Sequence, residues 1–110
     1  MIILVCGGRN YSSKQDVYDV LDRYNPTVVV AGGAVGADSL AVDWARTRQR
    51  AYMVFPAEWD KYKKAAGSIR NQRMLRTNPD LVIAFPGGTG TADMVRRAKN
   101  AGIEVYEHEG

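Results

Sequence analysis

A chain of 110 residues has room for one domain, and 45% hydrophobic against 25% charged residues is the balance of a globular protein with a single core. One cysteine, Cys6, excludes an internal disulfide; with one histidine, His108, it argues against a Cys/His zinc site, and a Ser-His-Asp relay would depend on that same histidine near the end of the chain, where fraying is expected. The longest apolar run, Met1 to Cys6, is too short for a signal-peptide core or a membrane span, so the expectation is a cytoplasmic protein with no membrane partner, no metal and no cofactor.

Short β-rich runs recur at 2–6, 27–31, 51–55, 81–85 and 103–106. They are nearly continuous in apolar residues, as strands buried on both faces are. Helical patterns lie between them. The first places Val17, Val20, Leu21 and Tyr24 on one face, with Ser12 and Ser13 as candidate caps and Asn25-Pro26 as its stop. The second spans 38–49 and turns Leu40, Ala41, Trp44 and Ala45 inward, which reads Trp44 as core. Residues 56–67 read as a loop with one helical turn carrying Trp59 and Tyr62. The third helix, 68–77, stops at Asn78-Pro79, and the fourth, 91–101, ends at Gly102. Five strands alternating with four helices predict a three-layer α/β sandwich around a mainly parallel sheet, one domain over 1–110.

Eight of eleven glycines fall in three clusters, each directly after a strand: Gly7-Gly8, Gly32-Gly33 with Gly36, and Gly87-Gly88 with Gly90. All three therefore lie at the carboxyl edge of the sheet, where open α/β folds bind ligands. Two clusters run into helix starts, at Gly36-Ala37-Asp38 and Gly90-Thr91, where free N–H groups and the positive end of the helix dipole suit an anion. Neither a dinucleotide fingerprint nor a Walker lysine is present. The net charge is +3, but residues 59–76 alone hold six basic side chains against Asp60. Charge alone fits an anionic partner and a solvated helix face equally well.

The segments Gly7-Gly8-Arg9, Gly32 to Asp38, Pro56-Ala57-Glu58-Trp59, Ala66 to Asn71, and Pro86 to Thr91 together resemble the SLOG superfamily, which joins the DprA/SMF domain and the LOG phosphoribohydrolases. The small YspA-like branch is the nearest likeness, with Glu58 where an aspartate is usual. The resemblance implies a Rossmann-like sheet ordered 3-2-1-4-5, a nucleotide-type ligand between 7–10 and 87–91, and a homo-oligomer. It implies ligand or phosphate contacts at Gly7, Gly8, Arg9, Gly32, Gly33, Gly36, Asp38, Arg70, Asn71, Gly87, Gly88, Thr89, Gly90 and Thr91.

LOG enzymes are similar through a P-G-G-x-G-T-x-x-E run, whose glutamate acts with an upstream arginine on an N-glycosidic bond. Here that position is Met94, and a thioether moves no proton. Arg70, Glu58 and Asp93 remain catalytic candidates, Asp38 being a further carboxylate. Three readings stay open: a nucleotide-ligand binding domain serving as sensor or sequestering protein for an ADP-ribose-type molecule, a LOG-like N-ribohydrolase, and a single-strand nucleic-acid binder using Trp59 and the 61–76 patch. Arg70 is expected to grip phosphate with two donors, Arg9 to be a second clamp, Trp59 to offer a stacking face, Cys6 to be an inert buried thiol and Arg73 and His108 to be solvated.

Overall fold

The structure is a computed structural model and describes residues 1–109. β1 (Ile2–Cys6) lies at the centre of a five-stranded, wholly parallel sheet. α1 (Lys14–Tyr24) leads to β2 (Val28–Ala31), α2 (Ala37–Thr47) to β3 (Ala51–Val54), and α3 (Trp59–Tyr62) with a 3-10 turn (Lys63–Ala65) runs into α4 (Ala66–Leu75). β4 (Leu81–Ala84), α5 (Thr89–Asn100) and β5 (Val105–Glu107) complete the domain. The sheet order is β3-β2-β1-β4-β5, the 3-2-1-4-5 arrangement expected from the sequence.

Alternation along β1 builds two cores. Ile3 and Val5 point into a cluster with Val17, Leu21, Ala41, Trp44 and Phe85, beneath α1 and α2. Leu4 and Cys6 point the other way, onto Met74, Leu75, Met94 and Ala98 of α4 and α5. Trp44 is core as expected, and its indole N–H donates to Asp22 Oδ1 at 2.8 Å, so the buried ring leaves no orphan donor. The helix punctuation is local chemistry. Ser13 accepts from the Asp16 N–H, Asn25 closes α1 in the left-handed conformation (φ 52°), and Gly102 (φ +76°) follows α5. No helix of the described residues is long and apolar enough to cross a membrane.

The structure departs from the sequence reading at several places. α5 begins at Thr89 rather than 91, with Gly88 at its cap, and α4 begins at Ala66 rather than 68. β3 is not buried: Tyr52, Met53 and Val54 are 40–43% exposed. It is an edge strand, and the core beneath α4 and α5 reaches Val30 of β2 but no residue of β3. His108 is not a solvated tail residue. Its side chain is 17% exposed, Nε2 lies 3.3 Å from Asp16 Oδ2, Nδ1 lies 3.1 Å from the Tyr106 hydroxyl, and the ring rests 5.3 Å from that of Phe85. Arg73 is not free in solvent either; it donates to the Tyr62 hydroxyl and sits 3.6 Å from Glu58.

Because the two hydrophobic strands β1 and β3 differ so much in burial, truncation should separate them. Leu4→Ala, in the core, is expected to lose about 2–5 kcal/mol, and Met53→Ala less than about 1 kcal/mol, as read by urea unfolding. Equal losses would mean that β3 is covered after all.

Candidate functional site

Where β1, β2 and β4 end, their loops surround a cleft of about 1040 Å³. Gly7, Gly8, Arg9, Gly32, Gly33, Asp38, Arg70, Asn71, Gly88, Thr89, Gly90 and Thr91 all line it. Asp93 lines it too, whereas Glu58 does not; its carboxylate faces Arg73 outside the lining. Gly36 and Gly87 also lie outside the lining. A Cβ on Gly36 would strike the Gly8 carbonyl, and the φ of +88° already demands glycine; a Cβ on Gly87 would collide with Thr91 Oγ1 and lie 2.6 Å from the Gly8 nitrogen. These two glycines let the loops approach one another.

The glycines of the site thus divide by what surrounds them. A Cβ at Gly7 would come to 2.6 Å from Ala37 Cβ, and one at Gly8 to 3.0 Å from the Pro86 carbonyl oxygen. The loops there are already in contact: the Gly8 N–H donates to Pro86 (2.9 Å) and its carbonyl accepts from Ala37 (3.4 Å). Gly88 and Gly90 are different. A Cβ at either would meet nothing within 4 Å. They cap and open α5, whose start has no side-chain cap and lines the cleft.

On the cleft floor α4 ties the loops together. Asn71, buried beside Met74 and Leu75, accepts from Arg70 Nε (3.1 Å) and donates to the Gly90 carbonyl (3.2 Å) and to Asp93 Oδ2 (3.0 Å). Arg70 Nη1 donates to the Gly32 carbonyl at 2.8 Å. Two of the five N–H donors of Arg70 are already spent on Asn71 and the β2 loop, so a phosphate would meet a partly engaged guanidinium; Nη2 has no partner among the described residues. The Asn71 amide is fully used as a tether. Burial alone would push Asp93 up, but hydrogen bonds from Asn71 and Arg97, with the charges of Arg97 and Arg96, hold its carboxyl below the usual range.

Asp38 stands in the first turn of α2, 6% exposed. Its Oδ2 accepts from the Ala34 N–H at 3.3 Å. Burial pushes its carboxyl up to about 6, against the opposing pull of that N–H and of Arg70. Cys6 is an inert floor residue, as expected, its thiol pushed up to about 12 by burial. The rim carries Arg9, with Lys64 and Arg96 as cations the sequence reading did not single out, and Trp59, 56% exposed. Lys64 was hidden in the general basic run. Arg96 belongs to α5 whichever residue starts the helix, and its place on the cleft shows only in the tertiary arrangement.

Met94 is fully buried with Leu4, Met74 and Ala98 and does not line the cleft. A glutamate side chain in this rotamer would sit in the core rather than in the site.

The raised Asp38 carboxyl makes a pH prediction. The folded state holds that proton more tightly than the unfolded chain, so the associated stability is present below about pH 4 and lost as pH rises through 6. At pH 7.5 the Asp38→Asn protein should be more stable than the native one by about 1–2 kcal/mol. Near pH 4 the difference should shrink towards zero. Urea titrations at the two pH values check this, and an Asp38→Asn protein weaker at pH 7.5 would mean that the carboxylate holds the fold.

A family model described as "YspA, cpYpsA-related SLOG family" (YAcAr) matches residues 1–62, from β1 to the end of α3. The chain is also similar to the Gene 61 protein of Mycobacterium phage D29, at 39% identity over 115 aligned residues that cover 94% of this chain and 92% of that protein. The second alignment therefore takes in the α4, β4 and α5 half, where Arg70, Asn71 and the Gly88–Thr91 turn lie. A matching family model over more than half of the chain, a near full-length relative and a five-stranded parallel sheet ordered 3-2-1-4-5 agree: the chain belongs to the YspA, cpYpsA-related SLOG family.

Proposed function

We propose that the cleft binds a phosphate-containing nucleotide or nucleotide-derived molecule of the ADP-ribose type, and that the protein acts as a sensor or sequestering protein for it. One observation carries this reading: the open space at Gly88 and Gly90. Gly88 is a common residue at a helix cap, but Gly90 lies inside the first turn, where glycine weakens a helix by up to about 1 kcal/mol relative to alanine, and no packing against the fold requires it there. A ligand drawn close to the backbone does require it. A phosphate laid on this turn would receive the uncapped N–H groups and the positive dipole end of α5. Arg9, Lys64 and Arg96 on the rim add the positive field that draws in an anion. The exposed Trp59 supplies a flat apolar face suited to stacking with a base. SLOG membership supports the nucleotide class.

Three of the four candidate carboxylate positions favour binding without turnover, Asp38 being the exception that lines the cleft. Met94 lies in the core, Glu58 lies outside the cleft, and Asp93 is engaged by Asn71 and two arginines. None of the three is free to shuttle a proton to a glycosidic bond.

Calorimetry with ADP-ribose and AMP tests the site. Gly90→Val should stay folded by circular dichroism, because its side chain enters open space, and should lose at least tenfold in affinity. Unchanged affinity in the folded variant would remove the phosphate from this turn. The native protein should release no measurable adenine from AMP. Turnover on the order of 1 per second or more would make it an enzyme, with Asp38 and Asp93 as the carboxylates to replace.

A further inference from the structure

Two side chains of opposite charge meet on the cleft floor without pairing. Asp38 comes from α2 and Arg70 from α4, and both lie against Gly32: the Cβ that Gly32 lacks would collide with the Arg70 guanidinium and lie 2.9 Å from Asp38 Oδ2. No ion pair joins them among the described residues. Each keeps polar capacity unused. Asp38 Oδ2 accepts from the Ala34 N–H and the Gly32 backbone also hydrogen-bonds the carboxylate, which leaves part of its acceptor capacity for the cleft that it lines. Arg70 Nε and Nη1 are engaged by Asn71 and Gly32, and Nη2 makes no hydrogen bond among the described residues. Among those residues no sealed side-chain nitrogen or oxygen lacks a partner, so Nη2 is not closed off inside the protein. Both residues line the cleft.

A carboxylate is a pure acceptor and a guanidinium a pure donor. A group set between them is held best if it donates to one and accepts from the other. A phosphate would be repelled by Asp38, and an ammonium by Arg70. What fits is a neutral group that donates and accepts from adjacent atoms, or from one: a sugar hydroxyl, or the donor–acceptor edge of a base. We propose that Asp38 and Arg70, brought together beside Gly32, form a second subsite of the cleft, which receives such a neutral donor–acceptor group of the ligand while its phosphate rests on the start of α5. This rests on the nucleotide reading above and extends it. It also gives a reason for keeping a carboxylate under burial that raises its proton affinity.

The charged and titratable groups facing Asp38 are Arg70 from α4 and the Cys6 thiol from β1, the latter protonated at any pH used here. Ligand affinity through this subsite should therefore follow Asp38 itself, and weaken as it takes up its proton below about pH 6.

The test is calorimetry of the four ribonucleoside 5′-monophosphates and their 2′,3′-dideoxy counterparts on native protein and Asp38→Asn, at pH 7.5 and 5. The isosteric change keeps the Ala34 contact and should leave the fold intact. The expected result is a fivefold or larger loss of affinity in Asp38→Asn at pH 7.5, which narrows at pH 5 where native Asp38 is itself neutral. If a hydroxyl occupies the subsite, dideoxy nucleotides bind native protein more weakly and lose the sensitivity to Asp38→Asn. If a base edge occupies it, the loss depends on the base and survives in the dideoxy series. Unchanged or tighter binding in Asp38→Asn overturns the subsite while leaving the nucleotide reading intact. No binding of any nucleotide to native protein overturns both.

Discussion

Where β1 leaves the sheet, the backbone of three loops comes closer than any side chain allows. Gly7 touches the start of α2, Gly8 touches Pro86 and Gly87 after β4, and Gly36 turns back onto Gly8 and Arg9. The N–H and carbonyl of Gly8 bridge the same two neighbours. This contact sets the width of the cleft. Because β1 is the central strand, with β2 on one side and β4 on the other, its loop reaches both the start of α2 and the loop before α5. With the loops pinned there, Asp38 at one helix start and Gly88–Thr91 at the other are held in a fixed relation.

A second tie fixes the floor. Arg70 and Asn71 are adjacent on α4, yet they hold loops from different strands: Gly32 after β2 and Gly90 after β4. The result separates charge within one cleft. Cations stand on the rim at Arg9, Lys64 and Arg96, and the carboxylates of Asp38 and Asp93 are recessed and bonded. An anionic ligand meets the positive field first. The acids then act only on the parts of the ligand that reach the floor.

Much of this was legible in the sequence. The nearly continuous apolar strands, the glycines directly after them and the stops at Asn25-Pro26 and Asn78-Pro79 carry the sheet, its helices and the location of the cleft. The missing parts depend on long-range neighbours. An apolar run such as Ala51–Val54 reads the same whether one helix or two cover it, and only the sheet order makes it an edge. His108 is fixed by Asp16, 92 residues away, which no local pattern near the end of the chain announces. The sequence also treats all glycines alike. That Gly36 and Gly87 serve loop packing, while Gly88 and Gly90 leave open space, depends on which atoms of other segments lie opposite. Arg70 lines the cleft, but a sequence cannot count the bonds its guanidinium already makes.

The central position of β1 has a consequence for how the chain comes together during synthesis. Residues 1–62 can pair β1 with β2 and β2 with β3, and cover Ile3 and Val5 with α1 and α2. Leu4 and Cys6, on the other face, wait for Met74, Val82, Met94 and Ala98, and the free edge of β1 waits for β4, where Ile3 meets Leu81. A nascent chain that has emerged only as far as α3 therefore holds half a domain, with one oily face and one unpaired edge at its centre. Contacts of such sequence separation slow folding and expose intermediates to aggregation. The part of the chain after α3 thus both covers that face and carries the Gly88–Thr91 turn, so the protein completes its core and its cleft together.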